Sequence, residues 1–212
     1  MKKGSKIELK DKLKKISESI EIQKDNIETE EATKTAFIMP FISALGYDIF
    51  NPTEVVPEFT ADFLKKKGKK VDYAIMKDGK PIILIECKPC TGNLDINHAS
   101  QLSSYFTVTE ARFGVLTNGI NYEFYTDIKK PNIMDTKPFL EVNMLKIKDS
   151  EIKELLKFTK EEFDSDKISA KALELKYINE MKKILTSEIT DPSEDFVKFM
   201  AKQVYDKPLT KK

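Results

Sequence analysis

Apolar and polar positions alternate along this chain in blocks of two kinds, and the blocks mark out its elements. Ile7, Leu13, Ile16 and Ile20 recur near one stripe of a lysine-rich segment over 7–24, the pattern of an amphipathic helix. A second helical block carries Ala36, Phe37, Met39, Phe41, Ile42 and Leu45 and stops at Gly46. Asn26 or Thr29 can cap its start, and Glu30 and Glu31 suit its positive end. Pro40 should kink it or leave one backbone carbonyl without a helical partner. Extended runs follow: a strand over 55–63, then 71–76 and 81–85 on either side of Asp78-Gly79, a strong hairpin signal. Asn93 to Asp95 can start a helix that ends near Thr107 or Val108. Runs over 112–117 and 121–126 flank a second turn at Asn118-Gly119, and 139–142 adds a short strand. From Asp149 onward the pattern is helical, with breaks near Asp164 and Asp191-Pro192.

Three charges break the apolar pattern of the first hairpin. The run at 81–85 is apolar on both alternating faces, as a central strand covered on both sides should be. Asp72, Glu86 and Lys88 interrupt it and its partner, and a charge on a buried strand is costly unless something compensates it. Two carboxylates brought together resist ionisation unless a divalent cation sits between them, and oxygen ligands suit magnesium or manganese rather than zinc. Register decides whether they meet. A two-residue turn at Asp78-Gly79 puts Asp72 and Glu86 on opposite faces, whereas a type I turn with Gly79 as a bulge residue sets them side by side. The bulged hairpin is therefore predicted. Taken alone, D…ExK reads better as a sheet-rim salt bridge between Lys88 and the two acids.

Composition narrows the rest. The 212 residues suit one domain, with 40% hydrophobic and 33% charged residues and a net charge of +1. No apolar run is long enough to span a membrane, and the chain opens on charge rather than on a signal-peptide core, so a cytoplasmic protein is expected. Nucleic-acid binding would need a local patch, and the run Lys65, Lys66, Lys67, Lys69 and Lys70 just before Asp72 is a candidate. Such a run is also a common solvated turn. Arg112 is the only arginine, which disfavours bidentate reading of bases. Cys87 and Cys90 form a CxxC, but Cys87 points away from Glu86 and Lys88 toward the core, and Pro89 and Gly92 turn the chain into a loop. Cys87 is expected as a buried thiol and Cys90 as a loop residue, without a disulfide.

The order helix, three strands, helix, strand, with D…ExK on the second and third strands, resembles the PD-(D/E)xK nuclease superfamily. Glu31 to Thr35, Pro40-Phe41, Leu45-Gly46-Tyr47, Val71-Asp72-Tyr73, Leu84 to Lys88 and Leu116 to Gly119 are similar to a narrower group. That group is the N-terminal nuclease domain of type I restriction endonuclease R subunits, with their stand-alone, often prophage-encoded relatives. Gln101 and Tyr105 match the QxxxY of RecB-like members, and together these segments cover about 28–140. The resemblance implies an α/β fold: a restriction-endonuclease-like αβββαβ core over 28–148 with a central mixed sheet. An N-terminal helix over 1–27 and a helical C-terminal tail over 149–212 flank it.

It also implies a metal-dependent deoxyribonuclease, an endonuclease rather than an exonuclease, working in restriction, phage defence or prophage DNA processing. Asp72 and Glu86 would hold Mg²⁺ or Mn²⁺, with the Cys87 carbonyl as a third ligand. Lys88 would orient the attacking water or neutralise charge on the phosphorus. Glu31 would act through the metal's water shell, with Glu30 as its rival. Gln101 would steady Lys88 or the DNA strand, and Tyr105 would pack or touch phosphate. Lys66, Lys67, Lys69 and Lys70 would hold the polyanion. The alternative is a nuclease fold without catalysis that binds DNA or assembles with a partner. An R-subunit translocase does not fit in 212 residues, and no GxxxxGK[ST] is present. A stand-alone protein, a piece of one, or one subunit beside a specificity or motor subunit is expected. The apolar residues of the tail, among them Ile152, Leu156, Leu173 and Leu185, would cover the sheet or form a homodimer interface.

Overall fold

Each extended run becomes a strand of one sheet, and the strands lie side by side in chain order. A computed structural model describes residues 3–61 and 70–205. The strands are β1 (Val55–Phe59), β2 (Val71–Lys77), β3 (Lys80–Cys87), β4 (Phe113–Thr117), β5 (Asn121–Thr126) and β6 (Leu140–Asn143). All neighbours are antiparallel except β3 and β4, so the sheet is mixed. The strand expected over 55–63 ends at Phe59, and 62–63 lie outside the described residues.

The first hairpin corrects the predicted turn while keeping its consequence. Asp78 and Gly79 both have positive φ, 53° and 77°, and Lys77 pairs with Lys80, so this is a two-residue turn of the type Asp-Gly favours. The change of parity occurs further along, between the pairs Met76↔Pro81 and Ile75↔Ile83, where Ile82 is the extra residue. Pro81 has no N–H to give the ladder, which makes this the weak point at which a bulge forms. Beyond the bulge Tyr73 pairs with Ile85, and that register sets Asp72 across from Glu86.

Helices cover both faces. The parallel step from β3 to β4 crosses through α4 (Ile96–Phe106), which lies directly on Gly114. A Cβ there would come within 2.7 Å of Leu102 and 2.9 Å of Phe106, so only glycine admits the helix at this distance. Leu102, Tyr105 and Phe106 pack with Ala74, Leu84 and Leu116 on that face. The other face carries Ile75, Ile83, Ile85 and Val115, which meet Ile38, Phe41 and Phe158. Here α1 (Lys3–Gln23) and the segment after Thr29 supply the cover, with Leu9, Leu13, Ile16 and Ile20 buried.

Pro40 leaves its mark as a change of helix type. Thr29 caps the segment by accepting from the Ala32 N–H at 3.1 Å, and α2 (Glu30–Thr33) begins in α form. A π turn, Lys34–Ile38, then leads into α3 (Met39–Ala44), with the Met39 N–H bonded back to the Lys34 carbonyl. Proline cannot donate to the carbonyl four residues before it, and the wider turn is how the helix accommodates that loss.

The segment after Asp149 divides in two. The helix α5 (Asp149–Leu155) and Leu156–Phe158 pack onto the sheet, where Phe158 is fully buried beside Phe113, Phe124 and Phe139. Ile152, Leu155, Leu156 and Phe158 thus cover the core. Residues 1–173 form one compact unit and 174–212 another. The second unit holds the later part of α6 (Ser165–Thr190) and α7 (Glu194–Val204), and Leu185, Ile189 and Phe199 on them are exposed. Among the described residues no helix is long and apolar enough to cross a membrane.

Candidate active site

The bulge at Ile82 and the cap at Thr29 bring two acids and their counter-ions to one end of the sheet. Asp72 begins β2, Glu86 ends β3, and the first turn of α2 reaches the same rim. A cleft of about 490 Å³ opens there, walled by Glu30, Glu58, Lys70, Asp72, Glu86, Lys88, Ser100 and Gln101. It is neither apolar nor enclosed, as suits an extended charged substrate better than a small apolar one.

Asp72 is held at both oxygens. Its Oδ2 accepts the Cys87 N–H at 2.7 Å, and its Oδ1 lies 2.6 Å from the Lys34 Nζ. Glu86 is 2% exposed. Its Oε1 accepts from the Lys88 Nζ at 2.8 Å, while Oε2 is buried without a hydrogen-bond partner. A buried carboxylate oxygen with no donor costs free energy unless another charge completes it. Burial, reinforced by the nearby charges of Asp72 and Glu30, pushes the Glu86 carboxyl up to about 7 against the pull of Lys88. Burial works against the Lys88 ammonium, yet the hydrogen bond and charge of Glu86 outweigh it and raise its pKa.

The donor set tests the metal expectation. Among the described residues no three His, Cys, Asp or Glu side chains gather as ready metal ligands. What β2 and β3 bring face to face is two carboxylates, Asp72 and Glu86, the second with an oxygen lacking any donor. That is a hard-oxygen set suited to magnesium or manganese, and too poor in nitrogen and sulfur for structural zinc. The Cys87 thiol lies on the opposite, core side, and burial raises its pKa. Cys90 is also buried. Its N–H donates to the Thr33 Oγ1 at 3.0 Å and its Sγ lies 3.1 Å from the Ile27 carbonyl, tying the loop after β3 to α2.

The other expected residues divide between cleft and core. Glu30 lines the cleft, whereas Glu31 is mostly exposed and bonds Lys34 at 2.8 Å. Gln101 also lines it, but its Nε2 donates to the Lys70 carbonyl, so it steadies the approach to Asp72 rather than Lys88. Tyr105 is buried, its ring tilted 49° to that of Phe59, and its hydroxyl donates to the Phe59 carbonyl at 3.2 Å. Lys70 pairs with Glu58 at 2.8 Å. Lys65, Lys66, Lys67 and Lys69 lie outside the described residues.

Two residues at the site were given no role by the sequence reading. Lys34 meets Glu30 and Glu31 at i−4 and i−3, a spacing visible in the sequence as EExxK, but its turn toward Asp72 depends on the π turn. Glu58 lies between the pairs Pro57↔Tyr73 and Phe59↔Val71, hence opposite Asp72, with a φ of 47° that non-glycine residues rarely adopt. No periodicity announces such a backbone. The hairpin at Asn118 also departs from a two-residue turn. Asn118 Oδ1 accepts from the N–H groups of Ile120 and Asn121, and only Gly119 has positive φ.

A family model described as type I restriction enzyme R protein N terminus matches residues 29–138. That span holds α2, the sheet through β5 and every wall residue of the cleft. Searches of the curated proteins and of the solved structures return no match.

Proposed function

Because the chain belongs to the family of type I restriction enzyme R protein N termini, we propose that its cleft cuts DNA as a metal-dependent nuclease. The observation that carries this reading is the Glu86 carboxylate, buried with one oxygen unpartnered, in register with Asp72 and 2.8 Å from Lys88. When bound between Asp72 and Glu86, Mg²⁺ or Mn²⁺ would supply Lewis-acid polarisation of a phosphate oxygen and activation of water. The chain's own groups do the rest. Asp72, fixed at Oδ2 by the Cys87 amide, presents a carboxylate that does not swing away. Glu86 would hold the ion as the carboxylate, since the protonated acid is not a ligand.

Lys88 keeps a positive charge at Nζ beside the reacting phosphate, where it orients the attacking water or neutralises charge gathering on phosphorus. Gln101 holds the Lys70 carbonyl and so the strand that carries Asp72. Lys70, with Lys66, Lys67 and Lys69 before it, offers point charges to a phosphate backbone, consistent with cutting that depends little on base sequence.

The test is cleavage of linear, circular and single-stranded DNA by the purified chain with Mg²⁺ or Mn²⁺. Activity lost in Asp72→Ala and in Lys88→Ala supports the reading, and equal activity with EDTA overturns it. A second reading is a module that binds DNA or a partner subunit without cutting. The exposed Leu185, Ile189 and Phe199 favour it, since such apolar surface suits assembly. Metal-independent DNA binding with no cleavage would decide for it.

A further inference from the structure

At this site the Lys34 ammonium meets three carboxylates, whereas Lys88 and Lys70 are each shown with one. Its side chain is 10% exposed, and its Nζ lies 2.6 Å from Asp72 Oδ1, 2.8 Å from Glu31 Oε1 and 3.1 Å from Glu30 Oε1. An ammonium has three protons, so these three acceptors saturate it. Burial opposes the charge, but the bonds to Asp72, Glu31 and Glu30 outweigh it and raise the pKa, so Lys34 remains a cation. It is buried on the π turn beside Phe37 and Ile38, which fixes the stem.

We propose that Lys34 is an exchangeable counter-ion: it neutralises Asp72 until a divalent cation takes Asp72 Oδ1, and it then withdraws onto Glu30 and Glu31. The inference rests on the metal reading above and assigns two more groups within it. Asp72 Oδ2 is committed to the Cys87 N–H, so Oδ1 is the oxygen that faces the choice between ammonium and metal. Glu86 Oε2 has no donor to surrender. A cation held by Asp72 Oδ1 and Glu86 Oε2 would therefore displace Lys34 and leave Lys88 on Glu86 Oε1, and like charges a few ångströms apart repel strongly in a partly buried site. Glu30 and Glu31 keep Lys34 bonded when it lets go, which makes them its dock rather than ligands of the metal. Lys34 is thus a positioning residue that sets the affinity of the site for its cation.

Mn²⁺ binding without DNA, followed by electron paramagnetic resonance at pH 8, tests the exchange. Lys34→Met keeps the length of the side chain and removes its charge, and Asp72 retains its anchor on the Cys87 amide. Expected is Mn²⁺ affinity higher by about tenfold or more in Lys34→Met. Lys34→Arg, which keeps the charge, should stay at or below wild type. In the wild-type protein the Lys34 ammonium resonance should shift as Mg²⁺ is added, a change that a purely structural lysine would not show. If Lys34→Met does not fold, this resonance decides alone: a shift supports the exchange, and a signal unmoved at saturating Mg²⁺ overturns it. Wild type that binds Mn²⁺ with Lys34→Met no tighter overturns the exchange and leaves the metal site standing. No binding by either protein overturns both, whereas binding by Lys34→Met alone supports the exchange in its strongest form.

Discussion

Glu86 and Lys88, two residues apart where β3 ends, form an ion pair at 2.8 Å in which the acid is buried and the base is partly open to the cleft. The pair gives the lysine a defined place beside the carboxylate but satisfies only half of it. Lys88→Met should therefore reduce cleavage by about a hundredfold or more, the scale found when one donor to a developing anionic charge is removed. Mn²⁺ binding at pH 8 and above should remain near wild type, because an ammonium is not a ligand. Equal loss of affinity in Lys88→Met and Asp72→Ala would contradict the separate roles assigned to them.

The raised Glu86 carboxyl sets the pH dependence of the metal-free protein. Unfolded, this group titrates near 4.5; folded, it titrates at about 7. Below 4.5 both states hold the proton, and between the two values only the folded state does. Stability then falls as pH rises through that window and levels off above it, by up to about 3 kcal/mol in all. Urea unfolding in EDTA from pH 4.5 to 8 measures the slope. Glu86→Gln, which cannot ionise, should flatten it and leave the protein more stable at pH 8.

Gly119 ties the second hairpin to the helix that carries Lys34. With φ at +78°, a Cβ added there would lie 2.9 Å from the Phe37 Cβ and 3.1 Å from the Thr33 Cγ2. Gly119→Ala should cost about 1–3 kcal/mol from crowding and strain together. Chemical denaturation reads the loss, and a value within error of wild type would mean that the helix shifts without penalty.

Tyr105→Phe separates packing from phosphate contact. The hydroxyl donates to the Phe59 carbonyl at 3.2 Å, so its removal should cost about 1 kcal/mol and leave cleavage unchanged. A variant as stable as wild type but slow on DNA would give the hydroxyl to the substrate instead.

The lysine run before Asp72 is read through salt. Changing Lys66, Lys67 and Lys69 together to Gln should lower the slope of log affinity against log salt by up to about 2.7 on duplex DNA. Weakening should be similar for unrelated sequences, since phosphates carry no base information. An unaltered slope would make the run a solvated turn.

What the sequence revealed, and what it hid, follows from the range of the forces involved. The alternating runs gave the strands because burial on a sheet has a fixed period of two. The need for Asp72 and Glu86 to face one another implied a bulge, yet its position at Ile82 rather than Gly79 depends on Pro81 and on pairing with β2. The helix around Pro40 was legible, but its resolution as a π turn depends on packing of Phe37 and Ile38 under the sheet. Lys34 was therefore missed although its acids were weighed. Glu58 was given no place beside Asp72, because a left-handed backbone leaves no pattern among neighbouring side chains.

The chain-ordered sheet has a consequence for how the site comes into being. Asp72 and Glu86 sit on strands joined by a two-residue turn, and Glu30 with Lys34 arrives on a helix that precedes β1. Closing so short a loop costs little chain entropy, so the acids meet through the most local of the sheet's pairings. Gln101 depends on the crossover that lays α4 on Gly114 and joins the two antiparallel halves. The two strand carboxylates and Lys88 therefore belong to an early-forming hairpin unit, whereas Lys34 and the brace behind Asp72 are added by the longer-range contacts that complete the fold.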